Sequence, residues 1–196
     1  MAFNVNAFRA QMTGDGARPN LFECSMVFPA LASSGGTLNP GGTSDNVSVA
    51  QKFTFMCRAA QLPGDTINQI PVNYFGRELK FPGNRTFPEW TVTIINDEDF
   101  IIKNAAEKWM SGINSHVGNL RSRRFENSVG YSSNALISHY GKAGDTIKQY
   151  AFIGMFPIDI SPIEMDWGAN DTIEEFAITF AYQYWTSDTT DPQFVV

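Results

Sequence analysis

Two stretches of the chain alternate apolar and polar residues strictly, which is typical of strands that bury one face. The first spans residues 89–94 near the middle of the chain, and the second lies within residues 171–185. Because the apolar side chains of each stretch share one face, we expect them to form the centre of the core. They are Trp90, Val92, Ile94, Phe176, Ile178 and Phe180.

A helix is predicted directly after the first of these strands. The acidic run at residues 97–99 suits the positive N-terminal end of a helix dipole, and Asn96 or Asp97 can serve as the N-cap. Seven apolar residues follow at helical spacing, so one face of the helix needs to be covered. They are Ile101, Ile102, Ala105, Ala106, Trp109, Met110 and Ile113. Of these, we place Ile102 and Trp109 in the core.

Weaker alternation predicts five further strands. They span residues 20–28, 47–60, 67–75, 77–81 and 146–160. We expect the second of them to pair antiparallel with the first, and Pro71 places the third at an edge or a bulge. Six or seven strands with one amphipathic helix predict an α+β, mainly β sandwich or barrel, because no repeated β-α-β alternation favours a parallel sheet.

With 196 residues the chain is long enough for one sizeable core, and we expect a single domain over residues 1–196. Four segments are expected to lie outside the core. They are an N-terminal arm (1–19), a glycine-rich loop (31–46), an irregular segment (115–145) and a C-terminal tail (186–196). The arm can form a short helix with Val5 and Phe8 as anchors. A connection as long as the irregular segment is uncommon in a compact domain unless it serves an interface.

Composition narrows the class of protein further. Sixteen Phe, six Tyr and four Trp with 17% charged residues indicate a folded, β-rich body. The formal net charge of −6 argues against a protein that grips phosphates, since such binding needs clustered cations. No apolar run approaches the roughly 18 residues that span a bilayer, so we expect the protein to be cytosolic where it is made. Cys24 and Cys57 are expected to be buried, reduced thiols.

The sequence contains no pattern that predicts catalysis or metal binding. His116 and His139 have no Cys or carboxylate at ligand spacing. The carboxylates of residues 97–99 could form an acid–base pair, but their place in a first helical turn explains them through capping. A phosphate-binding glycine loop, a nucleophile elbow and an H-E-x-x-H helix are not found in the sequence. We therefore expect no enzyme activity, no metal and no cofactor.

Charge is distributed unevenly along the chain. After Lys148 there is no Lys or Arg but there are eight carboxylates, whereas Arg121, Arg123 and Arg124 form a basic cluster before it. Opposite charges on one subunit suit head-to-tail stacking, and two separate solvated patches are the alternative. At the arginines an inter-subunit salt bridge is favoured over a nucleic-acid contact. The candidates for contacts between subunits are Phe8, Arg18, Pro19, Arg121, Arg123, Arg124, Asp188 and Asp191.

Several separated motifs carry a family resemblance over nearly the whole chain. They are ARPNLF (17–22), FTFMCRAAQLPG (53–64), IPV (70–72), NRTF (84–87), WTVTIINDE (90–98) and a closing pattern of Asp166, Trp167, Asn170, Ile173, Glu174, Phe176 and Trp185. In this order they resemble the tail tube proteins of contractile-tailed, myovirus-type bacteriophages. The chain departs from that pattern at residues 31–46, where the loop is longer, and after Trp185.

The resemblance implies a two-sheet β-structure with a flanking helix, similar to the tubes of type VI secretion systems and phage-tail-like bacteriocins. Six copies would close into a ring, and stacked rings would form a hollow tube that passes viral DNA into the host cell. The implied partners are copies of the chain itself, the tail sheath protein, and baseplate and tail terminator proteins, with DNA passing the lumen without specific binding. The implied location is the virion tail, assembled in the host cytoplasm.

Two alternatives from other classes remain open at this stage. A tube protein of a type VI secretion system or a phage-tail-like bacteriocin would share the fold, and the type VI protein would be a secreted carrier of effectors. A hydrolytic or carbohydrate-binding sandwich would need a substrate-sized pocket with convergent polar groups, which the motifs do not suggest.

Overall fold

The computed structural model describes residues 4–29 and 46–190, so the loop predicted at 31–46 lies outside the described residues except for Asn46. The helices are α1 (Val5–Gln11), α2 (Asn46–Met56), α3 (Ile101–Ile113) and α4 (Ser128–Tyr131), with 3₁₀ turns at Thr13–Asp15 and Arg123–Phe125. The strands are β1 (Phe22–Met26), β2 (Cys57–Ala60), β3 (Thr66–Tyr74), β4 (Arg77–Thr86), β5 (Trp90–Ile95), β6 (Ser133–Tyr140), β7 (Thr146–Ile160), β8 (Glu175–Ala181) and β9 (Tyr184–Ser187). Among these residues, no helix has the length and apolar character needed to cross a bilayer.

Six strands are hydrogen-bonded in the order β1-β6-β7-β8-β5-β2, and every pair is antiparallel. The long strand β7 connects two sheets. On one edge it pairs with β6, and on the other it pairs first with β9 and then with β8. The terminal strands β1 and β2 contact each other, so the two sheets fold over a shared interior. The fold predicted from the sequence, a mainly β, two-sheet antiparallel sandwich or barrel, is confirmed.

Strand β7 passes from one sheet to the other at Gly154. This residue has a φ of +67°, in the left-handed region where glycine is favoured, and a Cβ added there would lie 2.8 Å from Gln183 Cγ. Its amide donates a hydrogen bond to Asn134 Oδ1 at 3.1 Å. A glycine inside this strand therefore marks the bend between the sheets.

One hydrophobic cluster joins the inner faces of the strands to α2 and α3. All eight residues that we expected in the core are buried. Trp90 stacks on Phe152 with ring centroids 4.4 Å apart, and its indole N–H donates to the Gln61 carbonyl at 2.8 Å. Full burial of such side chains contributes about 1.5–3 kcal/mol each to stability.

The strand predicted over residues 47–60 is wrong for most of its length, because α2 occupies residues 46–56 and only Cys57–Ala60 is extended. Val49, Phe53 and Met56 also recur at helical spacing, and all three pack into the core. The predicted pairing is wrong as well. The short strand β2 pairs with β5, while β1 pairs with β6.

The predicted start of the central helix is also wrong. Helix α3 begins at Ile101, after Phe100 with a φ of +52°, and its first turn contains no acidic residue. Asp97 and Asp99 instead both form ion pairs with Lys52 of α2. Asp99 Oδ1 additionally accepts the amide of Ile101 at 3.1 Å, so one carboxylate does bind a free N–H near the helix start.

Two segments predicted to lack regular structure contain strands. The irregular segment at 115–145 includes α4 and the eight residues of β6, whose inward positions Ala135 and Ile137 are buried. The tail predicted from residue 186 begins inside β9, where Thr186 and Ser187 are buried against β7. Polar residues occupy half-buried positions in both strands, so neither strand shows the alternating hydrophobic pattern by which strands are predicted. The remainder of the tail, 191–196, lies outside the described residues.

Candidate assembly surface

Strands β3 and β4 form a two-stranded sheet of their own, the hairpin (66–86), and every residue of β3 is exposed. Nine residues at about 3.3 Å each make β3 about 30 Å long. By strand alternation one face of the hairpin is apolar, with Ile70 opposite Phe81 and Val72 opposite Leu79. These four side chains are 45–53% exposed. An isolated hairpin is marginally stable in water, so we expect another surface to cover this face.

The hairpin tip (Tyr74 and Phe75) presents two aromatic rings to solvent. Phe75 is 91% exposed, and its ring packs edge-on against Tyr74 with centroids 4.5 Å apart. Phe75 has a φ of +46° and Gly76 a φ of +78°, the signs that a type I′ hairpin turn needs. A large aromatic residue is unusual in this left-handed conformation, where Asn is favoured.

The base of the hairpin is fixed to one end of the sheet. Trp185 Nε1 donates to the Gly64 carbonyl at 3.3 Å, and Arg85 Nε lies 3.2 Å from Asp65 Oδ2. Phe87 packs near Tyr182, with ring centroids 6.1 Å apart. The hairpin therefore begins at the end where β5 starts and β8 finishes.

The opposite end of the same sheet carries an acidic groove (162–175), formed by the connection between β7 and β8. Its volume is about 520 Å³. Apolar side chains in it are unusually exposed, with Trp167 at 100% and Met165 at 84%. Within residues 4–29 and 46–190, Glu164, Asp166 and Asp171 have no ion-pair partner.

The two remaining carboxylates of the acidic groove are held inside the subunit. Asn96 Nδ2 donates to Glu174 Oε1 at 2.9 Å, and the Asn96 amide donates to the Glu174 carbonyl at 2.8 Å. Glu175 forms an ion pair with Arg58. These contacts attach the rim of the groove to β5 and β2 and give it a fixed position.

A further ionic cluster links α2 to the turn between β5 and α3. Lys52 Nζ lies 2.6 Å from Asp97 Oδ2 and also pairs with Asp99. Burial alone would lower the pKa of Lys52, but the hydrogen bonds to Asp97 and Asp99 outweigh it and raise that pKa. The same hydrogen bond from Lys52 lowers the pKa of the Asp97 carboxyl. The ion pairs give these carboxylates a structural role in place of the acid–base role considered above.

The predicted contact residues lie at several separate places. Phe8 is 68% exposed on α1, and the Arg18 carbonyl accepts a hydrogen bond from His139 Nε2 at 2.9 Å. Pro19 borders a shallow apolar groove of about 320 Å³. Asp188 Oδ1 lies 3.8 Å from Lys148 Nζ, so this carboxylate has an ionic contact within the subunit. Asp191 lies outside the described residues.

The arginine cluster is only partly described. The guanidinium of Arg121 sits 5.2 Å above the centre of the Tyr131 ring, and Arg123 is exposed in a 3₁₀ turn. In the described part of the chain, neither has an ion-pair partner. The Arg124 side chain is outside the described set. Arg121, which has aromatic support, and the exposed Arg123 therefore remain available for a contact with another molecule.

The two cysteines lie on the terminal strands that meet, β1 and β2, and both are free thiols. A hydrogen bond to Cys57, together with burial, raises the pKa of Cys24, and the hydrogen bond from Cys24 lowers the pKa of Cys57. Cys24 is buried and Cys57 is partly exposed. Among the described residues, no group of three or more His, Cys, Asp or Glu side chains is arranged to hold a metal ion.

Sequence reasoning did not single out the hairpin face or the acidic groove as contact surfaces. A signal for the first was present, because Ile70, Val72, Leu79 and Phe81 alternate with polar residues at the edge position that Pro71 predicts. A signal for the second was Trp167 inside a polar, glycine-containing connection. Their placement at opposite ends of the sheet depends on the topology.

Comparison with known proteins identifies one family. The family model for phage tail tube proteins matches residues 17–188. The tail tube protein gp19 of Enterobacteria phage T4 is 29% identical over 178 residues, which cover 90% of this chain and 95% of that protein. The tail tube protein of Serratia phage KSP90 is 25% identical over 186 residues, which cover 94% of this chain and 97% of that protein.

Solved structures share the fold at lower identity. A chain in the structure of the tube-terminating cap of the anti-feeding prophage has a TM-score of 0.57 and 17% identity, covering 88% of this chain and 90% of that one. A chain of the PVC sheath–tube complex, an extracellular contractile injection system, has a TM-score of 0.54 and 12% identity, covering 95% and 98%. Taking the fold together with the family match over residues 17–188, the chain belongs to the phage tail tube protein family and is a structural tube protein of a contractile bacteriophage tail.

Proposed function

We propose that six copies of this chain close into a ring, that rings stack into a hollow tube, and that the tube conducts viral DNA without any catalysis by its subunits. The observation that carries the proposal is the uncovered apolar face of the hairpin. A neighbouring copy that packs on this face would remove apolar surface from water and shield the unpaired edges of β3 and β4.

Contact residues that the sequence predicts outside the hairpin are suited to further contacts between copies. Phe8 projects from α1, none of whose residues is buried, so this helix is suited to pack on another copy. The exposed guanidinium groups of Arg121 and Arg123 are suited to meet the acidic surface of another subunit. Structures with related folds come from particles with a sheath, a baseplate and a tube terminator, and we propose the corresponding partners here.

The charge of the subunit is consistent with passage of DNA without specific binding. Each cation that contacts a phosphate adds an attraction that has to be broken before the DNA can move. A net charge of −6 disfavours such contacts over much of the surface. A neutral to acidic lumen would therefore let DNA pass.

Negative-stain electron microscopy of the purified chain tests the proposal. We expect six-fold rings or hollow filaments in the wild type, and a population that stays strictly monomeric at all concentrations would refute the proposal. The variant Val72→Asp places a charge on the apolar face and is expected to abolish rings while keeping the melting temperature, since Val72 is 45% exposed. The matched control is Gln69→Glu, which adds the same charge on the opposite face of the same strand and should assemble normally.

A further inference from the structure

We propose that Cys24 and Cys57 are a redox-active pair, which a peroxide oxidises to a disulfide that closes the seam between the two sheets of the subunit. The inference goes beyond the proposed function, because it concerns a chemical modification inside one subunit and does not depend on how copies assemble. It rests on the topology of the sheets, on the contact between the two thiols and on their unequal exposure.

The six-stranded path β1-β6-β7-β8-β5-β2 leaves a seam where its two terminal strands meet. Strand β1 is hydrogen-bonded along one edge to β6, and β2 along one edge to β5. The two terminal strands contact each other, but among the described residues no backbone ladder joins them. The seam therefore lacks the backbone hydrogen bonds that join every other pair of neighbours along the path.

Both cysteines face the shared interior from the two sides of this seam. In the antiparallel registers Cys24 lies opposite Ile137 and Cys57 lies opposite Ile94, and both isoleucines are buried in the core. Residues directly opposite each other lie on one face of a sheet, so each thiol shares the inward face of its isoleucine. A bulge between Cys57 and Ala59 shifts the register there, and bulges re-aim side chains. The two thiols are hydrogen-bonded to each other across the seam.

The two thiols differ in exposure and in acidity, as a reactive cysteine and a resolving cysteine do. Cys57 is partly exposed, and the hydrogen bond from Cys24 lowers its pKa. Cys24 is 1% exposed, and the contact with Cys57 together with burial raises its pKa. Peroxides oxidise the thiolate, and cysteines with a low pKa, solvent access and a neighbouring thiol are typical redox-sensitive sites. Cys57 is therefore the thiol that reacts first.

Hydrogen peroxide is the oxidant, and the reaction takes two steps. The Cys57 thiolate attacks one oxygen of the peroxide, the O–O bond breaks, and the leaving hydroxide takes up a proton, which gives water and a sulfenic acid. The Cys24 sulfur then attacks the Cys57 sulfur, the S–O bond breaks, and the Cys24 proton leaves with the hydroxide as a second water. Two thiols are oxidised to one disulfide, and one peroxide is reduced to two waters.

The surroundings of a tail protein change in the direction that this reaction needs. Thiols are kept reduced in the cytoplasm, whereas disulfides form and persist outside the cell and on virions. A component of a virion tail that is assembled in the host passes from the first environment to the second. The pair is therefore reduced while the chain folds and is oxidised afterwards, so that the disulfide locks a fold that has already formed.

The disulfide supplies a covalent link where the backbone ladder is missing. It closes a loop over residues 25–56 in the unfolded chain, which lowers the entropy of the unfolded state. We therefore expect oxidation to raise the melting temperature of the subunit by about 5–10 °C.

Oxidation of the purified, reduced chain with equimolar hydrogen peroxide tests the inference. Trypsin separates the two cysteines into peptides 10–52 and 53–58, because Lys52 lies between them and the Arg18–Pro19 bond resists cleavage. Without reductant, mass spectrometry should find these peptides linked, with a mass two hydrogen atoms below their sum, and dithiothreitol should separate them. The bond lies within one subunit, so a non-reducing gel should show only the monomer.

Two single substitutions separate the roles of the thiols. In Cys24→Ala, peroxide should oxidise Cys57 more slowly than in the wild type and stop at a sulfenic acid that dimedone traps, with no rise in melting temperature. In Cys57→Ala, Cys24 should stay unmodified at the same dose of peroxide, because it is buried. Equal oxidation of Cys24 and Cys57 in the two variants would overturn the assignment of a reactive and a resolving thiol.

The remaining outcomes decide whether the disulfide forms and what it does. A digest without the linked peptide, or with a disulfide between two chains in its place, would refute the pairing. A linked peptide without a rise in melting temperature would refute its role in closing the seam. None of these results requires rings, so tubes can be present when this inference fails and absent when it holds.

Discussion

At the scale of single residues, Phe53 and Phe55 show how the same side chain has opposite roles two positions apart on α2. Phe53 has an exposure of 0% and packs edge-on against Phe28 with ring centroids 5.9 Å apart, whereas Phe55 is 84% exposed. We predict that Phe53→Ala lowers the free energy of unfolding by about 3–5 kcal/mol, because it leaves a cavity in the core. Urea unfolding of the unassembled subunit measures this.

The matched control is Phe55→Ala on the same helix. Its effect on the unfolding free energy should stay within about 0.5 kcal/mol, as for exposed sites in general. If the two alanine variants lose similar stability, residues 46–56 do not form the helix described here, and the strand that the alternation of Phe53, Phe55 and Cys57 predicts would be restored.

A second prediction at this scale concerns the cysteines. Since the hydrogen bond from Cys24 lowers the pKa of Cys57, Cys57 forms a thiolate at lower pH than an ordinary cysteine, while the pKa of Cys24 is raised. In the folded protein, iodoacetamide should label Cys57 first and Cys24 only after unfolding. Cys24→Ala removes the donor, so labelling of Cys57 at neutral pH should slow on the order of a few-fold and shift to higher pH. Mass spectrometry across pH checks this, and faster labelling of Cys57 in the variant contradicts it.

At the scale of elements, strands were predictable where alternation and burial coincide. The bounds of β7 match the predicted 146–160, and β5 and β8 bury the apolar face that alternation indicated. Helix α2 was not predictable, because its apolar residues satisfy both a period of two and helical spacing. Only packing against β1 and α3 selects the helix. Strand β6 was missed because Ser133, Ser138 and His139 interrupt its apolar pattern.

The bend in β7 supplies a prediction for an element. Gly154→Ala puts a Cβ at a φ of +67° and 2.8 Å from Gln183 Cγ, so we expect a loss of about 1–3 kcal/mol in unfolding free energy. Gly64→Ala is the control, since a Cβ there meets no atom within 4 Å and its φ is not positive. It should be neutral or stabilise by about 0.4–1 kcal/mol. Equal effects of the two substitutions in chemical denaturation would show that β7 does not bend at Gly154.

At the scale of the whole molecule, the tube function was predictable from motifs, whereas the surfaces that carry it were only partly predictable. The order of motifs such as WTVTIINDE indicates the family, but it carries no information about which faces of the subunit are exposed. Exposure of Val72 and Leu79 depends on the absence of a third strand beside the hairpin among the described residues, and this is a property of topology. The opposite positions of the hairpin base and the acidic groove likewise follow from strand order and direction, which no local pattern contains.

The final prediction concerns the response of the assembly to salt. The contact that we propose between Arg121 and Arg123 and the acidic surface of another subunit is screened as ionic strength rises, because the Debye length falls from about 10 Å at 0.1 M to about 3 Å at 1 M. Apolar packing on the hairpin face is not weakened in this way, since it depends on surface removed from water. Raising NaCl from 0.1 M to 1 M should therefore raise the protein concentration needed for assembly about tenfold. Light scattering with electron microscopy measures this concentration. In a chain carrying Arg121→Gln with Arg123→Gln this salt dependence should largely disappear, and an equally steep dependence would place the salt-sensitive contact elsewhere on the subunit.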